Sequence, residues 1–354
     1  MRTACWWAAW ALGAGAVAAQ DEIERRGEGG RNEKLRGRIL RETPRGVSID
    51  VKGVATLVML GDIVEVRYER QPTTDVQRAK ASFEAGQYED AVKDAERVYE
   101  IVREGLNANL KAAALFGVVR ARVALAKADP ATTDAAAAVA ATFAKEYPNT
   151  RHEFAFQQAF GELCLSRGEY DAAGKAFAAL KESETPGLRE RAVALEGLAL
   201  MEKGDLAAAV KNFDLAASLG RNVPEAKADV LAARIFKAEA ALRGQPDAAR
   251  LAATEQQLRL ALKEAGPEDR LAKAYGHNAL GDVLRMQKRP PKDTLLEGYL
   301  RVLTMYPDDV QQLARALFQA QALFQELGQG DRADACREQL RGRFPNTKWA
   351  KLLP

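Results

Sequence analysis

The amino-acid sequence predicts a mostly α-helical protein, a solenoid of about seven helical hairpins preceded by a small β domain. In residues 154–186, two apolar runs at helical spacing meet at a Gly-Glu-Tyr-Asp turn, and Pro186 closes the second run. Glycine turns recur from Gly86 to Gly330, where 244 residues make six steps of about 41 residues each, a period typical of helical repeats. Residues 21–70 instead alternate apolar and polar residues, as strands do.

The composition is that of a helix-rich protein with nearly balanced charge. The chain has 354 residues, a formal net charge of +3, 47% hydrophobic residues and only 7% aromatic residues. These values suit one long or two shorter domains. Because the charges nearly cancel, there is no electrostatic reason to expect nucleic acid or an anionic membrane surface as a partner.

The first nineteen residues have the pattern of a secretory signal peptide. Arg2 precedes an apolar run that is too short to span a bilayer comfortably, and small residues end it at Ala19. We therefore expect residues 1–19 to be removed and the mature chain to be exported to a periplasm or cell envelope. The alternative is an uncleaved anchor, and membrane association is expected only in that case.

Residues 21–70 predict a small β domain. Strands are expected over 35–40, 47–51, 55–60 and 63–68, with a further one near 22–26, and glycine and proline mark the turns between them. This length suits a curled sheet or an SH3/Sm-like barrel. The segment resembles short N-terminal β modules of some exported bacterial proteins. Some Sm-like barrels bind RNA, but the basic residues here are matched by acidic ones, so a docking or capping module is preferred.

Helical periodicity continues from residue 75 to residue 354. Turns inside the hairpins and breaks between the hairpins divide it into repeats. The turns inside the hairpins are expected near Gly86, Asp129-Pro130, Gly168, Gly204, Gly244, Lys288-Arg289 and Gly330. The breaks between hairpins are expected at Gly105, Pro148, Pro186, Pro224, Pro267, Pro307 and Pro345. A terminal repeat leaves one face unstacked, so we expect residues 344–354 to cap the last hairpin, with Trp349 packed against residues 307–342.

Three of these hairpins resemble the tetratricopeptide (TPR) repeat. The matched positions are Gly86, Tyr88 and Ala91; Gly161, Gly168, Tyr170, Ala173 and Phe177; and Gly197, Gly204, Ala209 and Phe213. A partial match at Gly281 and Tyr299 has a turn altered by Pro290-Pro291. In the last repeat, Gly328/Ala333 and Gly330/Ala335 both fit the pattern. The resemblance covers about 280 residues and implies a TPR-like α-solenoid.

The same resemblance implies a partner-binding groove on the first helix of each hairpin. Family groove positions fall on Gln158, Glu162, Arg191, Arg234, Tyr275, Asn278, Asp282 and Arg285. The family's clamp for a terminal carboxylate needs Lys and Asn one helical turn apart. Here these places hold Gln158/Glu162, Ala194/Leu198 and Asn278/Asp282, so that particular clamp is not supported.

The sequence contains no pattern that predicts catalysis. His152-Glu153 begins an H-E-x-x-H zinc motif, but Phe156 stands where its second His is required. The other histidine, His277, lies in a different repeat. Cys164 and Cys336 are expected as buried free thiols. We therefore expect no catalytic residues, metal site, cofactor or small-molecule substrate.

These observations together predict an exported scaffold that binds a protein or peptide on the concave face of the solenoid. The alternative is a structural envelope component that associates through its β module. An enzyme is the least favoured reading, because no nucleophile and base are placed together by any recognisable motif.

Overall fold

A computed structural model describes residues 20–27, 31–244, 246–267, 269–307, 309–345 and 347–353. The predicted leader, residues 1–19, lies outside the described residues. No helix within these ranges combines the length and the apolar character that crossing a membrane requires.

The N-terminal strands form a five-stranded antiparallel sheet in the order β4-β3-β2-β1-β5. The strands are β1 (Asp21–Arg26), β2 (Asn32–Thr43), β3 (Gly46–Val51), β4 (Val54–Met59) and β5 (Ile63–Arg67). A single 3-10 turn over 60–62 precedes the last strand, and β2 bends where its register with β3 shifts between Ile39 and Arg41. Alternate residues such as Ile23, Val47 and Ile49 are fully buried, as the period-two pattern requires. The predicted small β domain is confirmed as a five-stranded antiparallel sheet.

The helices form seven consecutive antiparallel hairpins, which confirms the predicted solenoid. Hairpins 1 to 3 consist of α1 (Thr73–Glu84) and α2 (Tyr88–Val102), α3 (Ala108–Ala128) and α4 (Thr133–Glu146), and α5 (Glu153–Arg167) and α6 (Tyr170–Ala179). Hairpins 4 and 5 consist of α7 (Leu188–Lys203) and α8 (Leu206–Leu219), and α9 (Lys227–Arg243) and α10 (Ala248–Glu264). Hairpin 6 pairs α11 (Arg270–Met286) with α12 (Pro291–Thr294) and α13 (Leu300–Met305), and hairpin 7 pairs α14 (Val310–Glu326) with α15 (Gly330–Arg343). The short α16 (Lys348–Lys351) follows.

A glycine facing a large aromatic ring recurs where the two helices of a hairpin cross. A Cβ atom added to Gly161 would lie 2.4 Å from Phe177, and one added to Gly197 would lie 2.7 Å from Phe213. The missing side chain lets the ring approach the helix backbone. The turn glycines Gly86, Gly168 and Gly204 have positive φ, which glycine adopts without steric cost.

Hairpin 6 has the same glycine-to-ring contact, but the backbone between its two helices is irregular. Its turn is longer, and Leu295–Tyr299 between α12 and α13 forms a π-helical segment. The wider π turns accommodate an extra residue, so Tyr299 still lies against Gly281, where an added Cβ would come within 2.7 Å of the ring. In hairpin 7, Gly328 has a positive φ and Ala333 is fully buried, which selects the Gly328/Ala333 register.

The β domain packs against the junction between hairpins 1 and 2. Ile23, Val47 and Tyr68 share one hydrophobic cluster with Val98 of α2 and Leu110 of α3. The first helix, α1, has no buried residue.

A buried polar contact fixes the same junction. The Tyr68 hydroxyl donates to Glu42 at 2.6 Å, and Nε of Arg151, from the turn before α5, lies 3.2 Å from the same carboxylate. Burial raises the pKa of Glu42, and Arg151 opposes that rise.

At the other end, α16 packs against hairpin 7 as expected. The Thr347 hydroxyl accepts a hydrogen bond from the Ala350 N–H at 3.3 Å and so caps this helix. The Trp349 ring lies 5.6 Å from the Phe318 ring of α14, centroid to centroid, and is partly buried. Cys164 and Cys336 are buried free thiols, as expected.

Candidate functional site

The concave face of the solenoid encloses a cavity of about 610 Å³. One wall comes from hairpins 1 to 3 and the other from hairpins 6 and 7, so the array curls until distant repeats face each other. The lining residues are Phe83, Tyr88, Phe116, Arg120, Val123, Ala124, Lys127, Ala155, Gln158, Ala159, Glu162, Arg270, Leu271, Ala274, Tyr306 and Asp309. Ligand pockets in proteins typically measure about 300–1,000 Å³, so this cavity has the size of a binding site.

Aromatic side chains make the apolar part of the cavity wall. Phe83 and Tyr88 meet edge to face with ring centroids 5.8 Å apart. Phe116 is held from behind by Phe143 at 5.6 Å and by His152 at 4.7 Å. Tyr306 supplies an aromatic ring on the opposite wall. The neighbouring packing fixes these rings, so the apolar surface is preformed.

Arg120 on α3 is the exposed cation of this wall. Its guanidinium carbon lies 4.8 Å from the centroid of the Phe83 ring, in cation–π geometry. Burial lowers the pKa of Arg120, and the charge of Glu84 opposes this shift. Within the described residues, no carboxylate lies at ion-pair distance from Arg120.

The other charges of the cavity are already engaged. Nζ of Lys127 lies 3.0 Å from Oε2 of Glu162, and the Gln158 amide donates to Oε1 of Glu162 at 3.0 Å. Burial acts to raise the pKa of Glu162, but Lys127 and Gln158 hold it below its usual value. Asp309 accepts the Gln312 N–H at 2.8 Å as the N-cap of α14, and burial raises its pKa.

Arg270 lies on the opposite wall of the cavity, beside the ring of Tyr306. It donates to the Met305 carbonyl at 3.1 Å, and its guanidinium carbon lies 5.8 Å from the Tyr306 ring centroid. The cavity therefore carries the cations Arg120, Lys127 and Arg270 against the carboxylates Glu162 and Asp309. The formal charges of these five lining residues sum to +1, and Glu84, which is not a lining residue, acts on Arg120 from nearby.

Among the groove residues expected from the repeat pattern, Gln158 and Glu162 line the cavity. Arg191 is not among the lining residues, and its charge contributes to lowering the pKa of Glu162. Its Nε donates to Asp229 at 3.0 Å. Arg234 is partly exposed and pairs with Glu264 of the same hairpin.

The structure corrects the expectation for three other groove positions. Tyr275 is buried in the core with its ring 4.9 Å from that of Phe236. Asn278 is completely buried and donates to both the backbone carbonyl and the side-chain oxygen of Gln312 at 2.9 Å.

Asp282 is the third, since it accepts the Tyr299 hydroxyl at 2.5 Å and pairs with Arg315. The first helices of neighbouring hairpins occupy these positions, α9 of hairpin 5 at Tyr275 and α14 of hairpin 7 at Asn278 and Asp282. Arg285 is exposed, donates to Gln319 at 2.5 Å and lies 3.7 Å from Glu326.

Sequence reasoning missed the wall built by Phe83, Phe116, Arg120 and Tyr306. Each residue lies on an ordinary helical stripe or at a hairpin junction, and the accumulated rotation between repeats brings Tyr306 to the residues of hairpins 1 and 2. An arginine one turn after a phenylalanine on α3 was the available signal, and it is weak.

The two histidines occupy separate environments, since His152 is buried and His277 is half-buried. The His152 ring is tilted by 32° to that of Phe116, and burial lowers the pKa of His152 well below its usual value. Nδ1 of His277 lies 3.0 Å from the Glu297 carbonyl. Within the described ranges, no group of three or more His, Cys, Asp or Glu side chains has an arrangement that could hold a metal ion.

Comparisons with known proteins show the fold. No protein-family model matches the sequence, and no curated protein matches it. A tetratricopeptide repeat protein from Parabacteroides merdae superposes with a TM-score of 0.51 and 12% identity, over 79% of this chain and 95% of that one. NprR in complex with its cognate peptide NprX superposes with a TM-score of 0.53 and 10% identity, over 80% and 82% of the two chains. The helical array is therefore a TPR-like solenoid.

Proposed function

We propose that this protein is a non-catalytic scaffold that captures a peptide, or a segment of a protein partner, in the concave cavity. The observation that carries the proposal is the cavity itself, a space of about 610 Å³ lined by aromatic rings and by Arg120 within a TPR-like solenoid. No cofactor, metal, nucleic acid or small-molecule substrate is part of the proposal.

The chemistry of the cavity supports a peptide ligand. Preformed rings such as Phe83 and Phe116 offer apolar surface for side chains, and burial of such surface drives most association. Polar groups such as the Gln158 amide and the Arg120 guanidinium offer fixed points for a backbone or a charge. The similarly folded NprR has been crystallised with its cognate peptide.

A steric block tests the proposal directly. A displayed library of random peptides is selected on the wild-type protein, and the selected peptides are retested on Ala155→Trp, which places an indole in the cavity from an exposed position on α5. We expect binding to fall about tenfold or more, because the indole takes the space of a ligand side chain. Ala141→Trp, at an exposed alanine of α4 outside the cavity, is the matched control. Equal binding by both variants would contradict the proposal.

Association through the β module is a second candidate, favoured by its edge strand. β4 is at one end of the sheet and carries no charged residue, and Val54 and Leu57 are 64% and 56% exposed. An uncharged apolar edge can pair with another strand. Sedimentation of the wild type and Leu57→Lys tests this, since a lysine at the edge should dissociate an assembly held by β4.

We further propose that the chain is exported to a periplasm or cell envelope, with residues 1–19 as its signal peptide. The support is the sequence pattern of the leader alone. The intact mass of protein recovered from the native envelope should lack these residues. A mass that includes Met1–Ala19 would show a retained anchor.

A further inference from the structure

Arg120 differs from the other charged residues of the cavity. Lys127 and Glu162 neutralise each other at 3.0 Å, and Asp309 caps α14. Among the described residues, Arg120 makes no hydrogen bond or ion pair, lies over the face of Phe83 and is influenced by the charge of Glu84. Arg120 is thus the lining cation whose N–H groups are open to a ligand.

Within the described residues, no hydrogen bond or ion pair occupies the N–H groups of Arg120, so they are available to a ligand. A guanidinium that stacks on an aromatic ring uses its face and leaves its N–H donors directed outward in the plane. Two parallel N–H groups of this kind match the two oxygens of a carboxylate. Because Phe83 holds the guanidinium, less side-chain entropy is lost when an anion binds.

We propose that the cavity recognises a carboxylate of its peptide, paired with Arg120, beside an apolar side chain packed on Phe83 and Phe116. This inference rests on the proposed function and names its ligand class. A C-terminal carboxylate and an Asp or Glu side chain supply the same chemistry. The partly enclosed site strengthens the pairing, since charge-assisted hydrogen bonds gain from exclusion of water.

The cavity disfavours other ligand chemistries. A cationic peptide group would meet Arg120, while the Glu162 carboxylate is already paired with Lys127. A purely apolar peptide would leave the guanidinium desolvated without a partner, which costs free energy.

Four pools of random hexapeptides provide the test, each captured on the immobilised full protein and identified by mass spectrometry. One pool has amidated C-termini and no acidic residue, and a second has free C-termini. A third is amidated with one Glu, and a fourth is amidated with one phosphoserine. We expect the second or third pool to be retained about tenfold or more above the first, and the one retained identifies the source of the carboxylate. Equal retention of the neutral pool, or preferred retention of the phosphoserine pool, would overturn the inference.

Substitutions at Arg120 then test whether this residue causes the carboxylate preference. Arg120→Gln should abolish the carboxylate preference, and Arg120→Lys, which keeps the charge without the planar fork, should retain part of it. Arg332→Gln is the matched control, because Arg332 also lies over a ring, at 5.8 Å from Phe324, but outside the cavity. A preference unchanged in Arg120→Gln would overturn the inference.

The steric variant separates this inference from the proposed function. Ala155→Trp can block binding of peptides that show no carboxylate preference. That result would support peptide binding in the cavity and contradict carboxylate recognition by Arg120. If no pool binds the wild type, or if Ala155→Trp leaves peptide binding unchanged, the proposed function itself is contradicted.

Discussion

Arg315 on α14 donates a hydrogen bond to Glu239 on α9 at 2.8 Å, although 76 residues separate them in sequence. The pair spans hairpin 6, and its side chains are only 8% and 1% exposed. Arg243 shares the Glu239 carboxylate at 2.7 Å and also pairs with Glu202 of α7. This chain of charges links α7, α9 and α14 of hairpins 4, 5 and 7, and we infer that it holds the curvature of this part of the array.

Loss of Arg315 should therefore destabilise the array. Arg315→Met leaves Glu239 buried with one partner fewer, and we expect the free energy of unfolding to fall by about 3 kcal/mol. Urea unfolding followed by circular dichroism measures this. The exposed pair Arg234–Glu264 provides the control, and Arg234→Met should cost at most about 1 kcal/mol. Equal losses in the two variants would show that the buried chain of charges has no special role.

The contact between Gly161 and Phe177 makes a second prediction. A Cβ at Gly161 would lie 2.4 Å from the ring, so Gly161→Ala forces the helices apart and should cost about 1–3 kcal/mol. Gly174, in the middle of α6, has no neighbour within 4 Å of an added Cβ. Gly174→Ala should stabilise by about 0.5–1 kcal/mol through helix propensity. A Gly161→Ala melting temperature at or above that of the wild type would contradict the crossing described here.

The turn at Gly86 behaves differently from the crossing. Its φ of +72° is in the left-handed region, and nothing lies within 4 Å of an added Cβ. Gly86→Ala should therefore cost about 1 kcal/mol through backbone strain alone. The same thermal melts measure it, and an unchanged melting temperature would indicate that the turn relaxes.

Acid should destabilise the protein through its two histidines. Burial, aided by the nearby Arg301 and Lys273, lowers the pKa of His277 to about 4, against an unfolded value near 6.5. Between these values the unfolded chain binds a proton that the folded chain does not. Stability is therefore full above pH 6.5 and falls as the pH drops, by up to about 3 kcal/mol for His277. Burial, with Arg151 and Arg120, lowers the pKa of His152 in the same direction.

Urea unfolding at several pH values between 4.5 and 6.5 tests this, since the slope of stability against pH counts protons taken up on unfolding. His277→Gln should reduce the slope by about one proton and can keep a hydrogen bond to the Glu297 carbonyl. An unchanged slope would show that His277 titrates alike in both states.

The sequence specified the hairpins far better than the cavity. Glycine and proline act locally, through backbone conformation, so turns such as those at Gly168 and Gly204 could be placed from the chain alone. The small-to-large pairs Gly161/Phe177 and Gly197/Phe213 lie within single hairpins and share one spacing.

The superhelical curvature depends instead on small rotations between repeats, which add up along the chain. For that reason Asn278 looked like a groove residue but is covered by hairpin 7. For the same reason Arg120 and Tyr306, from opposite ends of the array, could not be placed in one cavity.

The last prediction concerns α16 as a cap. Trp349 packs on Phe318, and Lys348 beside it lies 3.2 Å from Glu202 of α7, so this short helix is held at two points. In protein produced without residues 1–19, which contain the other three tryptophans, fluorescence reports Trp349 alone. Native emission should lie to the blue of free tryptophan and shift to the red on unfolding, because the ring leaves an apolar contact.

Phe318→Ala should shift the native emission of Trp349 towards the red and lower the free energy of unfolding by about 2 kcal/mol, as loss of a partly buried ring does. Phe154→Ala, at a partly buried phenylalanine of α5, should leave the emission unchanged. Emission like that of free tryptophan in the native wild type, together with no effect of Phe318→Ala on stability, would show that residues 347–353 leave the last hairpin uncovered.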